Sequence, residues 1–95
     1  MALNTTENTT SLFTGKKFSD YKLILLIVDD TSDVRRASLI MPTSSFVGST
    51  NNILQFNYSA VDYIARVKYV SDTSFKASLS ASVNDITLKI VGILK

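Results

Sequence analysis

Polar and apolar residues alternate through residues 75–83, where Phe75, Ala77, Leu79, Ala81 and Val83 take every second position and Lys76, Ser78, Ser80 and Ser82 fill the gaps. A period of two places the two sets on opposite faces of an extended chain, so the segment predicts a half-buried β-strand. Asn84 and Asp85 follow as turn residues, and residues 86–94 predict a further strand rich in aliphatic side chains. Residues 21–29 (YKLILLIVD) are apolar on both faces, with Tyr21, Leu23, Leu25 and Ile27 on one side and Ile24, Leu26 and Val28 on the other. This pattern predicts a central strand covered twice, by a second sheet and by a neighbouring subunit. Residues 29–33 read as a turn. Residues 34–41 predict its hairpin partner, with Ala37, Leu39 and Met41 on one face, and Pro42 ends the strand by removing a donor.

Residues 43–52 are small and polar around Phe46 and Val47 and predict a loop. Residues 53–58 predict a short strand and residues 61–70 a longer one, with Tyr63, Ala65, Val67 and Tyr69 facing one way and Ile64, Arg66 and Lys68 the other. No stretch sustains a helical period. Short strands separated by Asp, Ser, Asn and Gly turns point to an all-β antiparallel β-sandwich, with a small β-barrel as the alternative. Residues 1–10, rich in Thr and Asn, read as a flexible lead, and residues 11–95 as a single domain.

Composition narrows the chemistry. The 95 residues contain no Cys and no His, which excludes disulfides, thiolate metal sites, and the commonest zinc ligand and general base. Ser and Thr hydroxyls therefore lack an evident activating base. With no Trp and the acids mostly at predicted strand ends, a glycosidase carboxylate pair is not indicated either. The ten basic residues are scattered and the net charge is only +2, so no nucleic-acid partner is expected. The longest apolar run falls short of the roughly 20 residues of a membrane helix, so no membrane insertion is expected. The opening MALNTTENTT lacks a secretory signal, and the glycosylation patterns at Asn4, Asn8 and Asn57 read as a by-product of Asn and Thr abundance.

Two clusters remain. Asp29, Asp30 and Asp33 offer oxygen ligands at short spacing but lack the glycine and distal glutamate of a calcium loop, so they read as a turn and no metal or cofactor is expected. Phe56 and Tyr63 read as core. The segments 43–52 and 57–62 then supply the candidate receptor or carbohydrate patch, with Phe46, Asn51, Asn52, Asn57 and Tyr58 as its contact residues.

Taken in order, SLFTG (residues 11–15), SDYKLILLIV (19–28), SLIMPTSSF (38–46), ARVKYVSDTSFKAS (65–78) and ITLKIVGILK (86–95) resemble a small domain found at the ends of tailed-phage tail fibres and in related prophage proteins. In that family an LFTG-like or LWSG-like opening precedes a strand introduced by Ser-x-Tyr, a mid-chain proline ends the next strand, and the domain closes on an IxxIYGIK-like strand. The chain departs from the pattern twice. The stretch before the Ser-x-Tyr strand shrinks to Lys16-Lys17-Phe18, and Val91 replaces the closing aromatic. The resemblance implies a virion protein that forms homotrimers, assembles with other virion proteins, and presents loops to a host-surface polysaccharide or outer-membrane receptor. The expectation is a bacteriophage or prophage tail fibre or tail tip component, not an enzyme, located in the virion after synthesis in the bacterial cytoplasm. A capsid decoration or head-fibre protein bound to the virion shell is one alternative, and a prophage-encoded intracellular interaction module is another.

Overall fold

The computed structural model describes residues 1–12, 16–30, 32, 34–49 and 51–94. Among the described residues seven strands run in the order β1 (Asn8–Ser11), β2 (Tyr21–Asp29), β3 (Arg35–Pro42), β4 (Asn52–Tyr58), β5 (Val61–Ser71), β6 (Ser74–Leu79) and β7 (Thr87–Leu94). A 3₁₀ turn, Phe18–Asp20, precedes β2, and a short helix α1, Thr43–Gly48, joins β3 to β4. The strands form two open antiparallel sheets, a four-stranded one ordered β1-β6-β5-β4 and a three-stranded one ordered β3-β2-β7. The fold is all-β and sandwich-like, and the two separate sheets exclude the closed barrel.

The alternation read in the sequence becomes the core. Ile24, Leu26 and Val28 of β2 meet Leu54 and Phe56 of β4, Ala65 and Val67 of β5, and Phe75, Ala77 and Leu79 of β6 in one buried cluster. Met41, Leu39 and Ala37 sit opposite Ile24, Leu26 and Val28 in the β2–β3 pair, so the expected hairpin and its inward face are both present. Burial of apolar area at about 25 cal/mol per Å² is the main stabilising contribution in such a layer. Phe18, fully buried, anchors one end. Its ring lies 5.0 Å from Phe46, 5.7 Å from Tyr69 and 6.5 Å from Phe75.

Four expectations are corrected. Residues 43–48 form a helix because the chain must cross from one sheet to the other there, and Phe46 plugs the gap between them. Six residues, fewer than two turns, are too short to show a helical period. The strand expected over residues 75–83 ends at Leu79, because residues 80–86 must also cross between sheets. Ala81 is exposed there, whereas Val83 still packs against the core. Tyr21 does not share a face with Leu23 and Leu25: an irregularity between Tyr21 and Leu23 shifts the β2–β7 register and turns Tyr21 inward. Finally, residues 1–10 are built into the sandwich. Leu3 is buried, Ala2 bridges Thr87, and β1 pairs with β6 from Asn8↔Ala77 to Ser11↔Ser74. The polar composition of this segment reflects its edge position, and Leu3 is the apolar side chain it commits to the core.

Candidate recognition surface

The connections collect at two ends. At one end lie the 3₁₀ turn, α1 and the β5–β6 turn, drawn together by hydrogen bonds. The Ser19 backbone N–H and hydroxyl donate to the Asp72 carboxylate at 2.9 and 2.7 Å, and the Phe18 and Leu12 N–H groups donate to the carbonyls of Asp72 and Thr73. The two Ser19 bonds, the hydroxyl's first, hold the Asp72 carboxyl below its ordinary pKa. The Thr43 hydroxyl donates to the Tyr21 carbonyl at 2.7 Å. The Tyr21 ring lies directly over Gly92, where any Cβ would collide with it.

At the opposite end Asp30 organises the β2–β3 turn. Its Oδ1 accepts the N–H groups of Ser32 and Val34, and its Oδ2 accepts Arg36 Nε and Nη2 at 2.9 and 2.6 Å. The Arg36 hydrogen bond is the largest cause of a lowered Asp30 pKa. The same guanidinium lies 5.1 Å from the centre of the Tyr58 ring, and Tyr58 donates its hydroxyl to Asp85 at 3.2 Å. Burial, then the Asp85 bond, pushes the Tyr58 pKa up. Thus β2, β3, β4 and the β6–β7 connection are tied at one point. Asp30 spends both oxygens on this work, and Asp33 lies outside the described residues. Among the described residues no group of three potential metal ligands occurs.

The five residues expected to form a receptor patch do not form one surface. Phe46 is fully buried, and Asn52, 6% exposed, donates its amide to the Phe46 and Val67 carbonyls at 3.5 and 3.2 Å. Both are structural. Tyr58 is half-buried in the Arg36–Asp85 tie. Asn51 and Asn57 are exposed at opposite ends of β4, and Asn57 donates its amide to Asp62 at 3.0 Å.

The register shows two contrasting outer faces. On the three-stranded sheet Leu25 lies between Ile40 and Val91, and Leu23 between Pro42 and Ile93. Ile27, beside them, lies between Ser38 and Lys89, while Ile40 remains 54% exposed and Ile93 37%. Apart from Ser38 and Lys89 this face is apolar. On the four-stranded sheet the outward positions include Gln55, Asn57, Asp62, Arg66, Lys68, Lys76 and Ser78. A shallow hollow of about 460 Å³ opens there over Gln55, Asn57, Asp62, Ile64 and Ser80. Another, of about 370 Å³, opens between β1 and β7 over Leu12, Phe75, Leu88 and Ile90. The scattered basic residues of the sequence are partly gathered by folding: Lys68 stands opposite Lys76 and Arg66 opposite Ser78. Only the β5–β6 turn brings them side by side, so spacing along the chain did not reveal the group.

No helix among the described residues is long and apolar enough to cross a membrane. Comparison of the chain with protein-family models, curated proteins and solved structures finds no match.

Proposed function

We propose that the chain is a structural protein of a bacteriophage or prophage virion, a tail fibre or tail tip component that assembles as a homotrimer and attaches to a host-surface polysaccharide or outer-membrane receptor. The observation that carries the reading is where the resemblance segments meet. Leu12 of the first, Tyr21 of the second and Gly92 of the last line one small cavity with Phe18. Thr43 of the third bonds Tyr21, and Asp72 of the fourth receives Ser19 of the second. Segments that resemble the fibre domain only as short strings are thus in mutual contact, which gives their order along the chain a physical reason.

The apolar outer face of β3, β2 and β7 supports assembly from several copies. Its nine outward positions, seven of them apolar, span roughly 300 Å², taking strands about 4.8 Å apart and alternate residues about 6.7 Å apart. A stable interface takes about 800 Å² from each partner, so two copies stacked face to face fall short. Three copies around an axis add the flanking edges of β3 and β7 to each contact. The cationic and amide-bearing face of the other sheet then remains outward for a receptor. Immunogold labelling of phage particles tests the location. Gold at the tail supports the reading, whereas gold on the head or particles without label would overturn it.

A further inference from the structure

Lys68 and Lys76 break a local rule. Like charges directly opposite each other in an antiparallel pair are destabilising, yet these two face each other across β5 and β6. Arg66 lies two residues along the same face. Among the described residues the carboxylates in ion pairs are Asp29 and Asp30, which serve Arg35 and Arg36 at the far end of the other sheet. Nothing in the described fold requires three cations here, and a fold that keeps such a cost gains something else from it. Next to them along β5 lies the hollow over Gln55, Asn57 and Asp62. Its groups include both donors and acceptors. The Asn57–Asp62 bond leaves the second Asp62 oxygen and the Asn57 carbonyl open, and the Ser80 hydroxyl, while accepting the Ile64 N–H at 2.9 Å, keeps its own proton to donate. Alternating hydroxyls of a sugar ring match that set, and Ile64 supplies an apolar floor.

We propose that the outer face of the four-stranded sheet binds an acidic polysaccharide, one sugar ring resting among Gln55, Asn57 and Asp62 while the carboxylate or phosphate of a neighbouring unit of the polymer lies against Arg66, Lys68 and Lys76. The inference rests on the receptor-binding reading and names the ligand class and the surface. Asp62 and Arg66 are four positions apart along β5, about 13 Å, so the Asp62 carboxylate and the cations serve different units of one polymer. Duplex DNA fits less well, since three cations neutralise few phosphates and Asp62 would repel the backbone.

The test titrates the intact protein at low salt with polygalacturonate, poly(glycerol phosphate), neutral dextran and duplex DNA, and follows backbone amide shifts by NMR. Binding of polygalacturonate or poly(glycerol phosphate), with shifts at Asn57, Arg66, Lys68 and Lys76, is expected, and the two polymers separate carboxylate from phosphate as the acidic group. Lys68→Gln and Lys76→Gln should each weaken that binding about threefold without lowering the melting temperature, because each relieves the like-charge pair. Asn57→Ala should weaken the acidic polysaccharide as well, which charge alone would not produce. Equal binding of dextran, equally tight binding of DNA, or variants that bind like the wild type would overturn the proposal. Silence toward all four polymers, with particles still labelled at the tail, would overturn this inference alone.

Discussion

The Tyr21 ring packs flat against the backbone of Gly92, seventy-one residues away, because a shift in the β2–β7 register turns Tyr21 toward the core at the one position of β7 that lacks a side chain. Glycine is needed here for close approach. Gly92→Ala forces the Tyr21 ring out of its place, and overpacking of this kind costs about 1–3 kcal/mol. Denaturant unfolding should show that loss in the single variant. In a Tyr21→Ala background the same substitution should cost much less, so the two changes are non-additive.

Asn52 and Asn51 are neighbours with opposite roles. Asn52→Ala leaves the carbonyls of Phe46 and Val67 without their amide partner inside the sandwich, a loss of about 1–3 kcal/mol. Asn51→Ala, at an exposed position, should leave the unfolding midpoint unchanged. Equal effects of the two substitutions would contradict the assignment of Asn52 to the core.

The β4–β5 hairpin turns through Ser59 and Ala60, both with positive φ, 55° and 62°. A two-residue loop of this handedness favours Asn-Gly, and an alanine there carries a strain of about 1 kcal/mol. Ser59→Asn combined with Ala60→Gly should therefore raise the melting temperature. The exposure of the tip makes any change in core packing negligible.

Acid should weaken the fold at both ends. Asp30 and Asp72 have folded pKa values below their unfolded ones, through Arg36 and Ser19 respectively. Their contribution is present above the ordinary carboxyl pKa of about 3.9 and is lost as pH falls through the lowered folded values. The unfolding midpoint should drop between neutral pH and that acidic range. In Asp72→Asn the drop should be smaller, because the variant has already lost the ionised form that Ser19 binds.

Strand positions were legible because alternation reports burial directly. β2 spans the residues the pattern indicated, and the inward faces of β3, β5 and β6 agree with it through Ala37, Leu39, Tyr63, Ala65 and Phe75. What escaped the pattern depends on contacts between distant segments. Tyr21 is turned by a pairing with β7 that no local period encodes, and Phe46 reads as a loop aromatic until Phe18 and Tyr69 close over it. The same limit explains the candidate patch. Composition marked Asn52 and Tyr58 as available polar groups, but their hydrogen-bond partners, Val67 and Asp85, come from elsewhere in the chain. The cations that face outward together are likewise brought into register by one hairpin.

Sedimentation of the purified protein tests the central claim, that copies of the chain cover the apolar face of β3, β2 and β7. A single species of three chains is expected, and Leu25→Lys or Ile40→Lys should dissociate it to folded monomers with an unchanged β-type circular dichroism spectrum. A wild-type protein that sediments as a monomer at high micromolar concentration, or variants that remain trimeric, would contradict the account.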